Sequence, residues 1–363
     1  MPRLAIFPTL ISLPPTVSEM KRVLPRLASA LLALAACISS PRVRAATTDE
    51  QVAELVKNYT GSLFFVEDKG GAGSAFACAF GKQKFVFTNQ HVVAGHPGVK
   101  LTLLDQSPIR VGQAAAAVGH DILSLALLSD TKTMDMMIEV EKNASIGDDV
   151  VVLGNPDGAR VIKPLVGKLV GIGPNLIEVT AEFVPGNSGS PIVHLKSGKV
   201  IGVATYLTTR DADGLAGRGT PKVRRFGYRL DSAKQWQPIV WPAYNEEFAT
   251  IGRIKERTHD LGLLIREMAR TGGVDASRQK NPAIRKPLDR FDEALSGKGP
   301  FKTDRVHAVK EFMTAMRAVT QSDIEQANAR LRYDFFRKEL TEEQQVRAEF
   351  YKIFDEMLKV APK

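Results

Sequence analysis

Between residues 60 and 232, short apolar runs alternate with clusters of Gly, Pro, Asn and Asp, and this spacing constrains the chain more than any other feature. Each run is about the length of one strand, and each cluster supplies residues that reverse a chain cheaply. The expected strands are residues 62–66, 73–80, 84–88, 99–104, 122–128, 149–153, 161–172, 176–181, 191–195, 200–206 and 226–230. A polar stretch at 129–135 divides them into two halves. The pattern predicts a mainly β region, either a barrel or a sandwich.

After Trp241-Pro242 the pattern changes to a helical one. Ile251, Ile254, Thr258, Leu261, Ile265 and Met268 recur three or four apart until Gly272-Gly273 stops them. Val306, Val309, Met313 and Met316 share a second face, and Val346, Phe350, Ile353 and Met357 a third. Ser322 with Glu325, and Thr341 with Gln344, have the spacing of capping boxes, which predicts helix starts there. Residues 272–302 read as a loop-rich connection. The apolar stripes have ordinary core width, so the helices pack on one another or on the β region; the alternative is a module that takes a protein partner.

The N-terminus reads as a targeting segment over residues 1–45. From Met20, a possible true start, Lys21-Arg22 gives a positive beginning, and residues 27–38 form an apolar stretch too short to span a bilayer. Two processing sites compete. Val43-Arg44-Ala45 suits cleavage before Ala46, whereas Leu34-Ala35-Ala36-Cys37 has the form of a lipobox and would place a lipid on Cys37. Either way the expectation is export, to a periplasm or the medium, with a membrane partner only through a lipid on Cys37. The chain has two cysteines, Cys37 and Cys78. A mature chain from Ala46 therefore has no internal disulfide, and packing must stabilise it. The net charge of +9 is spread along the sequence, which argues against a nucleic acid partner.

Three short segments carry chemistry. Pro185-Gly186-Asn187-Ser188-Gly189-Ser190-Pro191 places a hydroxyl in a glycine-flanked turn, where the amides of Gly186 and Ser188 can form an oxyanion hole. Phe85-Val86-Phe87-Thr88-Asn89-Gln90-His91 puts an imidazole just past a strand. His120-Asp121-Ile122-Leu123 puts a carboxylate at the mouth of the next. A serine nucleophile needs such a base and such an orienting acid. His120 neighbours Asp121 on an extended chain and so faces away from it; His96 and His194 read as loop and strand residues, and His259 and His307 as helix surface. Cys78 reads as a buried small hydrophobe.

These segments, TNQHVV, HDILSLAL and GNSGSP in the order His, Asp, Ser, followed by KVIGVATY, resemble the trypsin-like (chymotrypsin-fold) peptidases. The likeness is to the bacterial branch that holds the high-temperature-requirement proteases and glutamyl endopeptidases, and it covers residues 60–232. It implies two six-stranded antiparallel β-barrels, at 50–132 and 133–242, to which the helical spacing adds an extension at 245–363. It also implies endopeptidase chemistry on protein or peptide substrates, with His91, Asp121 and Ser188 as triad, an acyl-enzyme intermediate, and no metal or other cofactor. Substrate-binding roles fall to Thr205 and to Glu182, six residues before Ser188. An acid there would favour basic side chains, unless the arginines of residues 210–225 claim it. The helical extension departs from the family, whose high-temperature-requirement members continue into a PDZ domain. The rival reading is a catalytically silent binding protein on the same scaffold, or an envelope adaptor working through its helices.

Overall fold

The computed structural model describes residues 49–68, 71–96, 100–210, 222–271, 285, 288–289 and 305–360. The targeting segment with Met20 and Cys37, residues 211–221 and most of 272–302 lie outside the described residues. The chain divides into two compact units at Glu246/Glu247.

The first unit opens with a helix, α1 (Asp49–Tyr59). Val52 and Leu55 are buried on one side of it, with Val56 and Tyr59 packed beside them, a spacing of three and four that marks a helix face. Two sheet systems follow. In the first, β1 (Leu63–Asp68), β2 (Gly71–Phe80), β3 (Gln83–Thr88), β4 (Leu101–Thr102), β5 (Pro108–Ile109), β6 (Val111–Ala117), β7 (Leu123–Leu127), β8 (Met134–Asp135) and β15 (Trp236–Pro238) make one sheet. Its order is β15-β6-β7-β3-β2-β1-β4-β5, with β8 beside β2. In the second, β9 (Asp149–Gly154), β10 (Lys163–Ile172), β11 (Leu176–Val179), β12 (Pro191–His194), β13 (Lys199–Arg210) and β14 (Lys222–Arg229) close into a barrel, β10-β11-β14-β13-β12-β9, in which every pairing is antiparallel.

The second half is thus the six-stranded barrel expected. The first half differs: it is a sheet of nine strands whose ladder does not close. At its rim β4 and β5 are two residues each. Between β5 and β6 the Arg110 amide donates to Ser129 Oγ at 2.8 Å, and its carbonyl accepts from the Leu128 and Ser129 amides at 3.0 and 3.2 Å, which carries the pairing of β6 with β7 one step further.

Both sheets share a core. Phe76, Phe87 and Met134 from the first pack with Val151, Leu153, Val193, Val203 and Tyr228 from the second. Phe87 lies between Phe76 and Trp236, with ring centroids 5.9 and 6.1 Å away. One buried ion pair stands in the second half: Arg229 donates to both carboxylate oxygens of Asp231 at 3.0 and 2.8 Å, and the Val140 amide also donates to Asp231, at 3.0 Å. Several donors on both oxygens are what keep a buried charge tolerable.

The helical elements are α2 (Gln90–Val93), α3 (Val140–Asn143), α4 (Trp241–Thr271), α5 (Arg305–Asn328) and α6 (Asp334–Val360). In the second unit, Ile251, Ile254, Thr258, Leu261 and Ile265 are all buried, as their spacing predicts. The two capping boxes are not caps. Ser322 and Thr341 lie inside α5 and α6, and the Thr341 hydroxyl bonds back to the Arg337 carbonyl at 2.9 Å. The true start of α6 is capped from α4, whose Glu247 carboxylate accepts the Arg332 and Tyr333 amides at 2.9 and 3.1 Å; a side chain from another element fills the same need as a local cap. Among the described residues no helix is long and apolar enough to cross a membrane.

Candidate active site

β3 ends at Thr88, and Asn89 turns the chain into α2, a single turn that carries His91. Asp121 sits in the turn between β6 and β7. The sequence joins the two segments through side chains. Asn89 Nδ2 donates to the Asp121 carbonyl at 2.6 Å, and Gln90 Nε2 donates to the carbonyls of Ala117 and His120 at 3.2 and 2.7 Å. Both Asn89 and Gln90 are fully buried, so these bonds are made without competition from water.

The imidazole and carboxylate then meet. His91 Nδ1 lies 2.5 Å from Asp121 Oδ2, and the His91 amide donates to Oδ1 at 3.1 Å. A third donor, the Thr205 hydroxyl on β13, reaches Oδ2 at 2.9 Å. The His91 side chain is 41% exposed and that of Asp121 11%. A buried acid held by three donors, gripping an imidazole that faces solvent, fixes the ring through Nδ1.

Ser188 lies in the turn before β12. The turn is closed by Asn187, whose Oδ1 accepts the Val184 amide and whose amide donates to the Val184 carbonyl, both at 3.0 Å. Gly186 and Gly189 have φ of +90° and +86°, the left-handed region that only glycine enters freely. Among the described residues, neither the Gly186 nor the Ser188 amide donates to a backbone carbonyl. The Ser188 hydroxyl donates to the Thr205 carbonyl at 3.4 Å. Thr205 therefore touches both Asp121, through its hydroxyl, and Ser188, through its backbone.

One residue that no sequence motif singled out ties this turn to the first sheet. Ser74, on β2, donates its amide to the Ser188 carbonyl at 2.8 Å and its hydroxyl to the Gly186 carbonyl at 3.0 Å, and it accepts the Asn155 amide at 3.1 Å. Thr88 secures the Ser74 carbonyl at 2.8 Å. A serine in an apolar strand looks like a neutral filler; only its partners at Gly186 and Ser188, more than a hundred residues away, reveal the role.

Among the other expected residues, Glu182 is exposed. Nearby, Arg224 is engaged with Glu178 at 2.7 and 2.6 Å, and Arg225 Nε donates to the Phe183 carbonyl at 3.1 Å. His120 is buried between the Val118 carbonyl and Ser232 Oγ, and His194 between Ser197 Oγ and Asp148. Cys78 is buried, and burial, aided by Asp135, pushes its thiol up to about 12, far from the range of a working nucleophile. Among the described residues no group of three His, Cys, Asp or Glu side chains is placed to hold a metal ion.

Comparison with known proteins agrees with the geometry. Residues 71–203 match the trypsin-like peptidase domain. The chain is similar to the serine protease Do-like HtrA of Bacillus subtilis, 24% identical over 159 residues, 40% of this chain and 35% of that protein. It is also similar to the probable periplasmic serine endoprotease DegP-like of Hahella chejuensis, 25% identical over 171 residues, 44% of this chain and 36% of that protein. An uncharacterised protein of Sinorhizobium fredii is 31% identical over 147 residues, 38% of this chain and 23% of that protein. The chain thus spans about a third or less of the length of these relatives. The region that carries the imidazole, the carboxylate and the serine thus lies within residues 71–203, which match the trypsin-like peptidase domain.

Proposed function

We propose that this chain is a serine endopeptidase that cuts protein or peptide substrates through an acyl-enzyme at Ser188. In this reading His91 removes the Ser188 proton as the hydroxyl attacks the scissile carbonyl, then returns it to the leaving amine. Asp121 holds the imidazole with Nε2 toward the substrate and stabilises the imidazolium. The amides of Gly186 and Ser188 receive the negative oxygen of the tetrahedral intermediate, and hydrolysis of the ester restores the enzyme. The observation that carries the reading is the 2.5 Å contact between His91 Nδ1 and Asp121 Oδ2 beside a serine turn that shares Thr205 with that acid.

Two of the three relatives named above are called serine proteases, which supports the class of reaction. The leader-like sequence of residues 1–45 supports an exported enzyme, with Cys37 as a lipid site or Ala46 as the mature start. A fluorophosphonate probe tests the central claim. Wild type is expected to label, and Ser188→Ala is expected to lose both the label and casein hydrolysis. A folded wild-type chain that stays unlabelled at neutral pH overturns it.

A further inference from the structure

We infer that Tyr244 and Asn245, near the start of α4 and beyond the residues matched by the peptidase family, are positioning residues for His91. The inference rests on the endopeptidase reading for its kinetic consequences and on geometry for its substance. α2 is four residues long, and a single helical turn has almost no stability of its own. Its position must come from groups outside it, and the structure places such groups at both ends.

At the front end is Gln90, the residue before the imidazole, with its side-chain amide fully buried. Its nitrogen holds two carbonyls of the Asp121 turn, and its oxygen accepts the Tyr244 hydroxyl at 3.2 Å. Tyr244 is itself fully buried, braced edge-on by Trp241 with ring centroids 6.0 Å apart. At the rear end, Asn245 grips the chain as it leaves α2. Its Oδ1 accepts the Gly95 amide at 3.2 Å and its Nδ2 donates to the His96 carbonyl at 2.7 Å, so one side chain imitates a strand partner. Two consecutive residues of α4 thus clamp the turn on either side of His91.

The clamp follows from a chemical requirement. Gln90 can pin α2 to the Asp121 turn only if its amide has a fixed orientation, and a buried amide oxygen without a donor costs free energy that rotation or displacement would relieve. Tyr244 removes that freedom. The pairing of His91 with Asp121 therefore depends on a helix that starts some 120 residues after Asp121. Residues 71–203 alone lack the clamp.

Full-length Tyr244→Phe, Asn245→Ala and Asn245→Asp test this with labelled casein as substrate. Tyr244→Phe and Asn245→Ala are expected to lower kcat about tenfold with KM within about twofold, since a misplaced base affects the chemical step. The acid limb of kcat/KM against pH is expected to move with them. Asn245→Asp, which keeps the acceptor for Gly95, is expected to fall between Asn245→Ala and wild type. The proton shared by His91 and Asp121 is expected to give a low-field nuclear magnetic resonance signal, read without turnover, that shifts or broadens in both severe variants. If thermal stability falls while kcat, the pH profile and that signal stay at wild-type values, the residues only brace the fold and the inference is overturned. If the wild type fails to react with fluorophosphonate but the low-field signal still responds to Tyr244→Phe, the endopeptidase reading falls and the clamp stands.

Discussion

The Thr205→Val variant separates two roles for one residue. Thr205 was expected to line the substrate cleft, yet its hydroxyl donates to Asp121 Oδ2 at 2.9 Å. Valine keeps the shape and removes the donor. Thr205 and Asp121 are both buried, 7% and 9% exposed, so water has little room to replace the lost bond. A hydrogen bond to a charged group contributes about 1.5–3 kcal/mol. In the proposed mechanism the carboxylate's charge counts most when it faces the imidazolium of the transition state, so the loss is expected chiefly in kcat. At about 1.4 kcal/mol per factor of ten, the expected fall in kcat is about 10- to 150-fold. Thr205→Ser restores most of it, because the hydroxyl returns. The assay is steady-state casein hydrolysis with kcat and KM separated, alongside fluorophosphonate labelling rates. A Thr205→Val enzyme with wild-type kcat and a raised KM would refute the reasoning and return Thr205 to the cleft wall.

Gly189→Ala is expected to lower the fluorophosphonate labelling rate at least about 100-fold, because a Cβ at φ +86° would overlap the Ser74 carbonyl and stand 2.5 Å from Thr88 Oγ1. Wild-type labelling would show that the turn can shift without cost. Cys78, with its thiol held near 12 by burial, is expected to stay unreactive to Ellman's reagent at about pH 8 until the chain unfolds; prompt reaction in the folded protein would contradict that burial. The bond from the Ser145 amide, with help from His194, holds Asp148 below its ordinary value of 3.8. Its contribution to stability is complete above that value and is lost as pH falls through the lower folded value. Wild type and Asp148→Asn are therefore expected to differ in unfolding free energy near neutrality and to converge in acid, and a difference independent of pH would exclude the mechanism.

Legibility in the sequence followed the range of the interactions. Where one residue type at one spacing is sufficient, as in the turn around Ser188 or the stripe from Ile251 to Ile265, the chain was readable. β6 was not, because Val111–Ala117 is mostly alanine and has only Val111 among the β-branched residues that mark a strand; burial between neighbours makes it one. The ends of the first sheet were not readable either, because strands of two residues, such as β4 and β5, leave no periodic trace. The false capping boxes at Ser322 and Thr341 show that a four-residue motif occurs inside helices too, while the actual cap, Glu247, lies 85 residues from the amide of Arg332 that it satisfies. At the site, the order His91, Asp121, Ser188 was visible in the motifs. Ser74, Asn89 and Gln90 were not singled out, since their importance lies in which distant carbonyls they reach.

The bonds of Ser74 bear on when the Ser188 turn takes its shape. That turn is anchored at Gly186 and Ser188 by a residue of the second strand, and a half-made chain cannot supply both sides of that joint. On the proposed endopeptidase reading, an incomplete or unravelled copy therefore carries all the ingredients of a cutting enzyme with no means to assemble them, a safeguard that needs no separate inhibitor.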